Sequence, residues 1–157
     1  MEDVMHEVTV REDDPALPEV RKLIEQLDEF LIALYPPECN HLLPVDVLRQ
    51  PNVTFLTGRI GTKAVGCGAL VNHGGEYGEL KRMFVLPEYR GSKIGRLILG
   101  ELESRARAFA LPVIRLETGV SQFPAIALYE RAGYQRTRPF GDYRDDPLCI
   151  YLEKRLA

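Results

Sequence analysis

The chain has 157 residues, 45% of them apolar, and a formal charge of −3, which suits one domain, 1–157, that buries its core without disulfides. The mild acidity excludes the global basic field with which nucleic-acid binders neutralise phosphates. Cys39, Cys67, Cys149, His6, His41 and His73 fall in no ligand-like spacing, and no apolar run is long enough to cross a bilayer, so a soluble, cytoplasmic protein with no metal, nucleic-acid or membrane partner is expected.

His6 to Arg11 alternates like a short strand, and Glu12, Asp13, Asp14 and Pro15 then supply a helix start. Apolar residues at Val20, Leu23, Ile24, Leu27, Leu31 and Leu34 recur at intervals of three and four, which predicts a helix over 20–34 with one buried stripe, ended by Tyr35-Pro36-Pro37. A short helical piece over 45–49 follows. Residues 53–60, 64–72 and 77–86 read as three strands separated by Gly61 and His73-Gly74-Gly75, hence two tight antiparallel connections. The period changes over 94–110, where Ile94, Leu97, Ile98, Leu102, Ala106 and Phe109 fit a helix that Pro112 closes. A strand over 113–117, a helix over 124–132 stopped by Gly133, and strands over 134–138 and 149–153 complete the order. Strands and helices in this sequence predict one mixed α/β sheet.

The turn between the third strand of this trio and the helix at Ile94 carries the first chemical signal. The opening N–H groups of a helix have no partner within it, and with the helix dipole they form a site for phosphate oxygens. Gly91 and Gly95 let the backbone approach a ligand closely, while Lys81, Arg82, Arg90, Lys93 and Arg96 make a local positive cluster on an acidic chain. A simple turn with a solvated basic rim explains the same residues equally well. The spacing is wrong for a nucleotide-triphosphate loop, because Leu86 stands where G-x-x-x-x-G-K-[ST] needs its first glycine and Ile94 follows the lysine.

These residues resemble the GNAT superfamily of N-acetyltransferases, whose cofactor motif is Arg or Gln, two residues, Gly or Ala, one residue, Gly or Ala. The frame falls on Arg90, Lys93 and Gly95, with Lys93 departing from the small residue usual there. The run Glu79 to Val85 resembles the family's central strand, and Ala125 to Tyr134 its second motif. The resemblance implies a GNAT-like fold: a mixed, mostly antiparallel central sheet of 6–7 strands flanked by about four helices. It implies acetyl-coenzyme A as cosubstrate, held by Met83, Phe84, Val85, Arg90, Gly91, Ser92, Lys93, Ile94, Gly95, Arg96, Gln122 and Tyr129, with Gln122 in place of a frequent Asn.

Acyl transfer to an amine needs a neutral amine, a polarised carbonyl and a proton for the leaving thiolate. An alkyl ammonium has a pKa of about 10.4, so a group must take its proton near neutrality. Glu79 is the first candidate base and Glu117 the reserve; for Glu79 an ion pair with Lys81 or Arg82 is an equally good structural explanation. Tyr129 occupies the position of the family's acid, and a phenol of pKa about 10 stays protonated at pH 7 and can donate to a thiolate; its alternative role is core packing on a helix with a buried face. Cys67, flanked by Gly66 and Gly68, is expected to be a small core residue.

The acceptor, a primary amine of a small molecule or peptide, is expected between 31–48 and the loop 140–146. Tyr35, Phe140 and Tyr143 supply aromatic faces and Glu117, Asp142, Asp145 and Asp146 negative charge. The alternative activity class is an acyl-coenzyme A sensing module without turnover. The sequence is silent on assembly, for which a homodimer is the commonest form.

Overall fold

The computed structural model describes residues 7–34, 44–91 and 93–156. Tyr35, Ser92, His6, Cys39 and His41 lie outside the described residues. The strands are β1 (Val8–Glu12), β2 (Val53–Ile60), β3 (Lys63–His73), β4 (Tyr77–Val85), β5 (Val113–Gly119), β6 (Gln135–Thr137) and β7 (Cys149–Arg155). The helices are α1 (Pro18–Leu34), α2 (Val45–Leu48), α3 (Ile94–Ala108) and α4 (Phe123–Arg131).

The strands form one seven-stranded sheet in the order β1-β2-β3-β4-β5-β7-β6. Every pairing is antiparallel except β4 with β5. This is the mixed, mostly antiparallel sheet that the sequence pattern and the family resemblance led us to expect.

Local sequence explains most boundaries, and two differ from expectation for identifiable reasons. Helix α1 begins at Pro18, not near Pro15, because the Asp14 side chain accepts from the Ala16 N–H at 2.9 Å and its carbonyl accepts from Leu17 at 3.1 Å, which holds the chain in a turn for another residue or two. Its stripe of Val20, Leu23, Ile24 and Leu27 is buried as the 3.6 period requires. Helix α3 ends at Ala108, before Pro112 can act. Ala110 takes a left-handed φ of 59°, its N–H donates to Arg107 O at 2.9 Å and the Leu111 N–H donates to Ala106 O at 3.0 Å. That is a Schellman closure with alanine where glycine is favoured. Helix α4 closes the same way with Gly133, at φ 100°.

The core lies between the sheet and α3, with Ile98, Leu99, Leu102 and Ala106 fully buried against Leu70, Leu80, Ile114 and Leu116. Close packing explains a glycine in β3: a Cβ at Gly68 would come within 2.5 Å of Met83 Sδ and 3.0 Å of Ile98 and Leu102. Opposite Gly68 the β3–β4 register slips, and Arg82 adopts φ 61°. This is a bulge, which turns consecutive side chains away from strict alternation. Arg82 consequently reaches Asp28 of α1 in an ion pair, and does not pair with Glu79. Cys67, sealed beneath this bulge, donates its S–H to Arg82 O at 3.1 Å.

Candidate active site

The sheet itself creates the opening. Parallel strands β4 and β5 pair only from Gly78↔Ile114 to Leu80↔Leu116, yet β4 runs on to Val85 and β5 to Gly119. Beyond Leu80 and Leu116 the two strands part, which leaves a fork whose first residues are Lys81 and Glu117. An unpaired strand edge offers N–H and C=O groups to anything that enters.

At the wide end of the fork lies the turn into α3. A 3-10 turn at Pro87–Tyr89 leads to Arg90 in extended conformation, then to left-handed backbone at Gly91 (φ 84°) and Lys93 (φ 69°), and the helix opens at Ile94. Lys93 is exposed, and no side chain caps the helix, so the first amides of α3 face outward with their dipole uncompensated. The left-handed φ gives a physical reason for the small residue that the family favours at this position. Arg90 donates from Nε to Val85 O at 3.1 Å and holds its guanidinium over the rings of Phe30 (5.6 Å) and Phe84 (5.7 Å).

These parts enclose a cleft of about 430 Å³ between the β4 edge, the α3 turn and α4. Met83, Phe84, Val85, Arg90, Gly91, Lys93, Ile94, Gly95, Arg96, Gln122 and Tyr129 all line it. Sequence reasoning did not assign eight further lining residues, among them Phe30 from α1, Ser121 before α4 and Arg131 at its end. Phe30 is 39% exposed and reaches the cleft from α1, a placement that depends on tertiary packing and leaves no local signal in the sequence.

Tyr129 is packed in the core and also borders the cleft. It is 5% exposed, in ring contact with Tyr134 at 5.8 Å, and it lines the cleft. Burial raises its pKa, and the Glu117 carboxylate raises it further, so its hydroxyl keeps its proton well above neutral pH. Gln122 heads α4, where its carbonyl accepts from Ile126 at 3.0 Å.

Glu79 is buried and lies outside that cleft, in a polar cluster at the narrow end of the fork. Its Oε2 accepts the Tyr143 hydroxyl at 2.6 Å, its Oε1 meets His73 Nε2 at 3.0 Å, and Lys81 Nζ stands 3.7 Å away. Lys81 also donates to the Tyr143 oxygen at 2.7 Å. Burial lowers the Lys81 pKa, partly offset by the charges of Glu79 and Glu117. Glu117, half-buried at the fork, acts electrostatically on both Lys81 and Tyr129 and so links this cluster to the cleft.

Of the residues read as acceptor contacts, Phe140 is 8% exposed and packs edge-on to Tyr143 (5.0 Å), Tyr77 (5.7 Å) and Tyr151 (6.1 Å). It anchors the loop more than it lines an open surface. Tyr151 donates to Arg144 O at 2.6 Å, and Asp146 Oδ1 accepts from the Leu148 N–H at 2.8 Å, so these loop contacts keep Tyr143 over Lys81. Burial pushes the Cys67 thiol up to about 12, which leaves no thiolate for nucleophilic chemistry. Among the described residues no cluster of His, Cys, Asp or Glu has the grouping of a metal site, and no helix is long and apolar enough to cross a membrane.

Residues 20–134 match the acetyltransferase (GNAT) family. The chain belongs to that family. As a GNAT protein it is an acyltransferase, and general acetyl transfer is the activity its relatives share by name. It is 46% identical over 153 residues to the IAA acetyltransferase of Azospirillum brasilense, covering 97% of this chain and all of the relative. A crystal structure described as an acyl-CoA N-acyltransferase from Klebsiella pneumoniae superposes with a TM-score of 0.81 at 37% identity, covering 96% of this chain and 98% of that one. The PaiA N-acetyltransferase of Thermoplasma acidophilum, in complex with coenzyme A, shares the fold at 16% identity, with a TM-score of 0.73 and 95% and 99% of the two chains covered.

Proposed function

We propose that this GNAT enzyme moves the acetyl group of acetyl-coenzyme A directly to a primary amine of a small molecule or peptide. The observation that carries the reading is the convergence, on one cleft, of an unpaired strand edge, an uncapped helix start with left-handed backbone, and a buried protonated tyrosine. The uncapped start of α3 at Ile94 and Gly95 and the charges of Arg90, Lys93 and Arg96 suit a pyrophosphate. The open edge at Met83 to Val85 suits the amides of a pantetheine arm, and the Arg90 bond to Val85 O has to be exchanged when that arm binds. The relative in complex with coenzyme A agrees with this use of the fold.

In this mechanism the amine attacks the thioester carbon at the fork, Glu79 with its partners takes the amine proton, and Tyr129 protonates the departing thiolate. A Val85 N–H polarises the carbonyl. Glu117 is the second carboxylate in reach of the fork. Comparing Glu79→Gln with Glu117→Gln decides which of them takes the proton.

The test is calorimetry with coenzyme A and with ATP, followed by thiol release from acetyl-coenzyme A over a panel of amines. Because the Azospirillum relative is named for IAA, IAA is tested beside that panel as a separate candidate acceptor. Preferential ATP binding overturns the reading. Tyr129→Phe should keep coenzyme A affinity and lower kcat about 100-fold, whereas a sensing module has no turnover to lose.

A further inference from the structure

We propose that Lys81 is itself an acetyl acceptor, so that the enzyme, held with acetyl-coenzyme A and no amine, modifies its own Nζ. The inference rests on the acetyl-transfer reading. The chain has five lysines, of which Lys22, Lys63 and Lys93 are exposed, and Lys154 pairs with Glu103 at 3.1 Å. Lys81 alone stands at the vertex of the β4–β5 fork, immediately past the last pair at Leu80↔Leu116. Its side chain is only 11% exposed.

An acyl acceptor needs an amine that sheds its charge, a base beside it and a fixed position. Desolvation supplies the first, because Lys81 loses its proton more readily than a lysine in water. Glu79, 3.7 Å from Nζ, supplies the second. The Tyr143 oxygen supplies the third by accepting from Nζ at 2.7 Å, with the cation 5.4 Å from the ring centre. Glu117 acts on both Lys81 and Tyr129, which places the amine and the proposed acid in one electrostatic neighbourhood.

In the step, the lone pair of neutral Nζ attacks the thioester carbonyl carbon. An N–C bond forms and the C–S bond breaks. The nitrogen gives one proton to Glu79, the thiolate takes one from Tyr129, and exchange with solvent restores both groups. The sum is one amide and one thiol. An acetylated Lys81 carries no charge between Glu79 and Glu117, so the modified enzyme should transfer acetyl more slowly to any added amine.

The experiment incubates the full chain with acetyl-coenzyme A and no acceptor, and follows intact mass and the acetylation of each lysine-containing peptide. One acetyl group per chain on Lys81 is expected, forming faster than on exposed Lys22 or Lys63, about 100-fold slower in Tyr129→Phe, and suppressed by saturating coenzyme A. Lys81→Arg should bind coenzyme A and gain nothing at that site. Transfer to an amine with Lys81 left unmodified overturns this inference alone. Acetylation of Lys81 at the pace of Lys22, unaffected by Tyr129→Phe, is chemical modification and overturns it too. A chain that binds no coenzyme A overturns both readings.

Discussion

Two buried glutamates in this protein each have a tyrosine and a lysine partner yet sit in different settings. Glu103, on α3, accepts the Tyr134 hydroxyl at 2.8 Å on one oxygen and Lys154 Nζ at 3.1 Å on the other. Glu79, on β4, accepts the Tyr143 hydroxyl at 2.6 Å, but its lysine sits at 3.7 Å and its second oxygen faces His73, whose side chain is 37% exposed. Each Glu103 oxygen has one donor from another element, which makes a closed clamp between α3 and the far half of the sheet. The Glu79 cluster lies where two strands separate and reaches solvent through His73. Place in the fold separates the two clusters: one ties a helix to the sheet, the other sits where two strands part.

The largest effect that sharpens this contrast is on stability. Glu103→Gln should cost about 3 kcal/mol, because it leaves Lys154 without its partner in a largely buried site; chemical denaturation measures it, and kcat for amine transfer should not change. Glu79→Gln should do the reverse, lowering kcat about 100-fold with coenzyme A affinity kept, in the range of general-base catalysis. If Glu79→Gln loses stability and keeps kcat, the two sites are alike and the distinction fails.

Smaller effects follow from the tyrosines. Tyr134→Phe should lose about 1 kcal/mol of stability with activity unchanged, while Tyr143→Phe should move the pH profile of kcat, since it frees both Glu79 and Lys81 from a shared hydroxyl. A third carboxylate, Asp13, tests buried acids that have no access to the fork. Burial alone would raise its pKa, but hydrogen bonds from Thr57, Arg59 and Arg11 outweigh burial and lower it. Its folded pKa lies below the unfolded value of about 3.9, so its stabilisation is complete above about pH 4 and lost as pH falls through the folded value. Asp13→Asn should therefore be less stable at neutral pH and show a flatter stability curve in acid. One change of similar size is expected to be a gain: Ala110→Gly relieves a left-handed alanine at the end of α3 and should add about 1 kcal/mol.

The elements whose signals are local were readable from the sequence. The stripe in α1, the glycine turns at Gly61 and Gly74-Gly75, and the change of period at Ile94 each depend on neighbours within a few residues. The cleft was readable because its amides and its tyrosine sit in two contiguous motifs. What stayed hidden depends on distant contacts. Tyr143 is 64 residues from Glu79 and Asp28 is 54 residues from Arg82, so no window reveals that the first completes a polar cluster or that the second draws Arg82 away from it. Phe30 joins the cleft only because α1 lies across β4. The end of α3 was misplaced because Ala110 takes a conformation that composition assigns to glycine.

The three residue pairs that join β4 to β5 also make a mechanical seam. Strands β1 to β4 and strands β5 to β7 are two blocks whose direct backbone coupling is that short ladder, so amide exchange and forced unfolding should begin there. A ligand wedged beyond the ladder, touching β4 on one side and α4 on the other, acts as a rivet between the blocks. Occupancy should then raise resistance to exchange and pulling along the whole seam, with the gain growing as the logarithm of ligand concentration over Kd.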